Sequence, residues 1–134
     1  MQSNPEKVTG LGGVFFRAKD VATINAWYNK HLGLATTEWG YVFKWMDPND
    51  KDAAVPAGTV WCPFKSDTEY FGPNNKQCML DYRVKNLPEL MKTLTDAGVE
   101  TVGKIDEYSY GKFGWIMDPE GNKIELWEAK DDGF

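Results

Sequence analysis

GWIMDPEGNKIELWE, residues 114–128, holds two short apolar runs on either side of a tight turn. Gly121 can take positive φ, so Pro119–Asn122 reads as a hairpin connection between two strands. The motif has an echo: Met46-Asp47-Pro48 stands 71 residues before Met117-Asp118-Pro119. Each copy follows an aromatic run, YVFKW or KFGWI, and each precedes a second run, TVWCPF or NKIELW.

Working outward, the same duplication recurs. Residues 11–18, LGGVFFRA, read as a strand, and Asp20 suits a helix N-cap. Val21, Ile24, Trp27, Tyr28 and Leu32 recur at helical spacing, and Gly33 is the stop. Residues 78–84, CMLDYRV, read as a second opening strand. Asn86 can cap the next helix, with Pro88 in its first turn and Glu89 three residues on. Its stripe is Leu87, Leu90, Met91, Leu94 and Ala97, and Gly98 ends it. The caps are offset by 66 residues and the stop glycines by 65. Each half is therefore strand, helix, then about three strands, a tandem βαβββ repeat of α+β class. The expected layout is a tail over 1–7, one domain over 8–128, and a tail over 129–134. The modules run from about 8–64 and 78–128. The turn-rich KSDTEYFGPNNKQ, 65–77, links them, and PNDKDAAVPAG, 48–58, is a loose hairpin connection.

The 134 residues suit one domain, with 42% hydrophobic and 26% charged residues. A net charge of −5 argues against a nucleic-acid partner. No apolar run approaches the roughly 18 residues of a membrane span. The polar opening MQSNPEKV carries no secretory pattern, so a cytoplasmic location is expected. Two cysteines make no disulfide framework, and one histidine makes no multi-histidine metal site. Six Trp, six Tyr and seven Phe leave two readings, a well-filled core or an aromatic-lined pocket.

The doubled unit, with FRAKDVATINAWYNKHLGL opening the first half and DPEGNKIELWE closing the second, resembles the vicinal oxygen chelate superfamily. That group includes glyoxalase I, extradiol dioxygenases and fosfomycin- and bleomycin-resistance proteins. The resemblance covers about residues 8–128. It implies a curved mixed sheet, a half-barrel around a central cavity with the helices outside. In metal-dependent members it also implies a divalent ion held by His, Glu or Gln from the opening and closing strands of each half. Those positions fall on Gly13, Met79, Glu125 and Trp61, with Cys62 one register away from Trp61. Only Glu125 matches. Glycine, methionine and tryptophan do not hold a hard cation, so no metal or other cofactor is expected.

Strand alternation from Gly13 turns Phe15 and Arg17 toward the cavity and Val14, Phe16 and Ala18 toward the helix. Met79, Asp81 and Arg83 then face in, as do Trp61, Glu125 and Trp115. Val60, Ile124, Leu126, Leu80, Tyr82 and Val84 pack outward. The expected ligand-binding set is thus Phe15, Arg17, Trp61, Asp81, Arg83 and Trp115. These charges either serve a ligand or pair as Arg17–Glu125 and Arg83–Asp81. His31 complements a helix C-terminus, and Cys62 and Cys78 read as buried thiols. Tyr110 is a cavity-mouth hydrogen-bonder or a plain loop residue. Glu38 and Trp39 begin the second strand. Tyr70-Phe71-Gly72-Pro73 is either a lid or a packing patch for a partner chain.

Three functions compete. The first is a metal-free binder of a small polar or aromatic molecule, acting as a homodimer in the manner of bleomycin-resistance proteins. The second is a lyase, isomerase or dioxygenase-type enzyme with Glu125 as base or metal ligand and Tyr110 as acid. The third is a partner domain with a vestigial pocket.

Overall fold

A computed structural model describes residues 7–47, 56–72 and 76–130. Residues 1–6 of the expected tail over 1–7, most of the 48–58 connection, residues 73–75 of the linker and residues 131–134 of the expected C-terminal tail lie outside the described residues. The chain runs β1 (Val8–Ala18), α1 (Val21–Leu32), β2 (Tyr41–Trp45), β3 (Ala57–Lys65), β4 (Cys78–Val84), α2 (Leu87–Asp96), β5 (Asp106–Tyr108), β6 (Gly111–Met117) and β7 (Lys123–Ala129). All seven strands form one open, curved mixed sheet of order β2-β3-β1-β4-β7-β6-β5.

Both helices start and stop on their sequence signals. The Asp20 carboxylate accepts the Thr23 N–H at 3.0 Å, and Asn86 accepts that of Glu89 at 3.2 Å. Gly33 adopts φ 74°, and its N–H donates to the Asn29 carbonyl at 3.2 Å. The stripe of α1 is only partly right, because Trp27 and Leu32 are exposed and the buried residue is Asn25.

Duplication shows in the pairing. β1 runs parallel to β3, and β4 runs parallel to β7. The halves join through the antiparallel pair β1–β4. They are unequal, however. The second half is βαβββ, whereas the first has two strands after its helix among the described residues. The stretch expected to start a strand at Glu38–Trp39 is a tight turn closed by a Thr37–Gly40 bridge.

Opposite faces of the sheet have separate cores. On the helix side Val84, Leu87, Leu90 and Leu126 are buried, with Tyr82, Ile116 and Ile124 packed around them. On the concave side Phe15, Phe71 and Met79 form a second cluster with Val60, Cys62 and Phe64. A register shift in β1 between Leu11 and Gly13 inserts Gly12 opposite β4. A Cβ at Gly12 would overlap the Asp81 carboxyl, so glycine is what lets that acid lie against β1.

Candidate functional site

Glu125 is the centre of the concave face. It lies on β7, is only 2% exposed, and pairs in register with Asp81 on β4 and Trp115 on β6. Trp115 Nε1 donates to Glu125 Oε2 at 3.0 Å, and the Tyr70 hydroxyl donates to the same oxygen. Burial, reinforced by the Glu125 charge and by the bond to it, holds the Tyr70 phenol far above its ordinary pKa. Tyr70 is therefore a standing donor.

Asp81 is completely buried, and its oxygens meet no N–H or O–H donor among the described residues. Its carboxyl is held well above the usual carboxylate range. Desolvation is the main cause; the hydrogen bond to Glu125 and its charge add to it, and Arg83 opposes them. Asp81 therefore keeps its proton to higher pH than an exposed carboxyl does.

Above this pair opens a cavity of about 330 Å³. Its wall is aromatic, made by Phe15, Phe64, Tyr70, Tyr108, Tyr110, Phe113 and Trp115, with Asp106 and Glu125 as its charged groups. Phe64 and Tyr70 stack at 5.7 Å, and Tyr108 and Tyr110 stack at 5.3 Å.

Two of the six expected ligand-binding residues, Phe15 and Trp115, line this cavity. Asp81 does not line it and stands beside Glu125 on the neighbouring strand. Arg83 is buried between the Trp45 and Trp127 rings and donates to the Gly58 carbonyl at 3.2 Å. Arg17 donates to the carbonyls of Lys76 (2.7 Å), Ser66 (2.8 Å) and Thr68 (2.6 Å) rather than to Glu125. Its guanidinium lies over Phe71 and so clasps the inter-module connection in place. It borders a separate cavity of about 580 Å³ shared with Lys123.

Trp61 is a correction. Its ring packs on Phe16 at 5.2 Å and on Tyr28 of α1 at 4.8 Å, so it faces the helix. The parallel pairing sets Cys62 beside Phe15, as Glu125 stands beside Asp81. Val60 and Cys62 are the inward residues of β3. Burial pushes the Cys62 thiol up to about 11, whereas Cys78 is exposed rather than buried. Tyr110 sits at the mouth, 51% exposed, and its carbonyl accepts the Trp127 indole N–H. Tyr70 is the functional residue that the site reading omitted. Phe71 beside it is buried in the concave cluster, so this part of the connection packs onto that face.

The profile of the glyoxalase-like domain family matches residues 13–127. The chain belongs to that family. Among solved structures it is similar to methylmalonyl-CoA epimerase from Mycobacterium tuberculosis, with 20% identity and a TM-score of 0.63 over 98% of this chain and 95% of that one. A methylmalonyl-CoA epimerase in complex with methylmalonyl-CoA and NH4+ gives 12% identity and a TM-score of 0.66 over 92% and 96%. A Legionella pneumophila protein described as an NAD-dependent benzaldehyde dehydrogenase gives 15% and 0.57 over 88% and 98%. No curated protein matches. At these identities the likeness establishes the glyoxalase-like fold, and the chemistry must be argued from the site.

The ion of metal-dependent glyoxalase-like sites does not fit these side chains. Gly13 brings no donor, Met79 brings a thioether, and Cys62 brings a thiol held protonated by burial. Among the described residues no three His, Cys, Asp or Glu side chains converge. Glu125 already takes two donors on one oxygen.

Proposed function

We propose that this glyoxalase-like chain binds a small organic molecule with a planar or apolar body in the concave cavity, without the ion of metal-dependent relatives. The observation that carries this reading is the cavity itself: seven rings around one buried carboxylate. Its volume is at the small end of the roughly 300–1,000 Å³ of small-molecule sites, and convergent polar groups in an apolar wall are what such sites use for orientation. A fragment screen read by the indole N–H signal of Trp115 tests it. Saturable shifts lost in Phe113→Ala support the reading, and a screen that leaves Trp115 unmoved overturns it. Elemental analysis after dialysis against nickel, zinc, manganese and iron tests the second half. About one ion per chain would overturn the metal-free reading.

The buried side-by-side carboxyls of Asp81 and Glu125 support a second reading, acid–base isomerisation with Glu125 accepting a substrate proton. Turnover that vanishes in Glu125→Gln while the fold persists would carry it. Turnover unchanged in that variant would end it.

A further inference from the structure

We propose that the cavity takes an organic cation, a protonated or quaternary ammonium on a small apolar body, seated between the rings and Glu125. This rests on reading the cavity as a small-molecule site and names the class of its ligand.

The first ground is the wall. Tyr110 and Phe113 meet at 5.6 Å and 67°, and Tyr108 and Phe113 at 6.0 Å and 61°. Tyr108 and Tyr110 stack, and Trp115 faces the same space. Rings set at such angles present both faces and edges, and aromatic faces attract an ammonium through their quadrupoles. The second ground is charge. The charged residues lining the cavity are Glu125 and Asp106, both acidic. An anionic ligand would meet two carboxyl groups there, and a neutral one would leave the buried Glu125 with only the Tyr70 and Trp115 donors and the Lys123 ammonium to offset its charge.

The third ground is that no Lys or Arg among the described residues lines this cavity. Lys123 Nζ donates to the Tyr70 carbonyl at 2.9 Å and borders the neighbouring cavity. Arg83 is held between two indoles. Lys123 also rests 4.9 Å from the Tyr70 ring centre and 5.7 Å from that of Trp115, so these rings already hold one ammonium. Finally, the Tyr70 and Trp115 donors both end on Glu125 Oε2. Neither occupies Oε1.

The test uses three probes on the whole chain: choline, its uncharged shape-mate 3,3-dimethylbutan-1-ol, and benzoate. Titrations are followed by calorimetry and by the Trp115 indole signal, assigned with Trp115→Phe. Choline should bind about tenfold or more tightly than the alcohol, and added salt should narrow that gap. Glu125→Gln should remove most of the preference. Asp106→Asn, at an exposed strand position that does not threaten folding, should lower it several-fold. Equal binding of choline and the alcohol, or tighter binding of benzoate, overturns the cation assignment and leaves the small-molecule reading standing. A folded protein whose Trp115 signal moves with none of the three overturns both.

Discussion

Replacing Asp81 with asparagine should flatten the dependence of folding stability on pH. The folded-state pKa of Asp81 is raised above its ordinary 3.8, chiefly by burial. Below that value both folded and unfolded chains hold the proton, and burial of the neutral acid is tolerated. As pH rises, the unfolded chain releases the proton while the folded chain keeps it. Stability therefore falls with rising pH, by about 1.4 kcal/mol per unit for one fully retained proton, until folded Asp81 titrates. Arg83 opposes the shift, so it lowers the pH at which that fall ends. Asparagine keeps the shape, has no proton to lose, and can donate its amide N–H to Glu125. Urea unfolding of wild type and Asp81→Asn, from about pH 4.5 to about pH 6.5, measures the difference directly. The variant should gain on wild type as pH rises, by at most about 1.4 kcal/mol per pH unit. A difference in stability that stays constant across that range would refute the raised pKa of Asp81.

Four further outcomes are expected. Tyr70→Phe removes one of two donors to a buried carboxyl and should cost about 1–3 kcal/mol, read by chemical denaturation. Leu87→Ala empties a fully buried position between α2 and the sheet and should cost about 2–5 kcal/mol by the same assay. Gly12→Ala should cost more than its small size suggests, about 1–3 kcal/mol, because the added methyl meets Asp81; a neutral effect would place that acid elsewhere. Near neutral pH a maleimide should label one thiol quickly, Cys78, and reach Cys62 only on unfolding; two fast equivalents in the native protein would contradict the burial of Cys62.

The helices were legible because their signals are local. Asp20, Gly33, Asn86 and Pro88 act within one turn of chain, and no tertiary contact is needed to interpret them. The register of β3 was not. TVWCPF is apolar at both alternating sets of positions, since α1 covers one face of the strand and the concave cluster covers the other. Alternation of polarity cannot orient a strand that is covered on both sides, so Trp61 and Cys62 could not be told apart. The inter-module connection was obscure for the opposite reason. Its turn formers and charges mark a solvent-facing linker, and they are correct for Ser66–Glu69. The signal for inward packing was the adjacent pair Tyr70-Phe71, and composition could not say what the pair would pack against. Arg17, three carbonyl bonds deep in that connection, fixes its path only in the folded chain.

The duplicated halves explain why one carboxylate pair lies at the bottom of an aromatic wall. The offset of 66 that relates the two helix caps also relates Phe15 to Asp81. Phe15 pairs with Cys62 in the first half as Asp81 pairs with Glu125 in the second. One and the same juncture of parallel strands is therefore apolar in one module and acidic in the other. Two acidic junctures facing each other would place four carboxyls on one concave surface, at a desolvation cost that only a cation could offset. An apolar first juncture avoids that cost. It also lets Phe15 pack with Phe64 at 5.3 Å, and Phe64 in turn stacks on Tyr70. Tyr70 then delivers its hydroxyl to Glu125. The first half thus supplies Phe15 and Phe64 and, through the connection, the Tyr70 donor; the second supplies the other four rings, the carboxyl pair and the Trp115 donor. Selectivity at this site should follow that division. Changes at Phe64 should alter which apolar body fits, while changes at Glu125 should alter which charge is accepted.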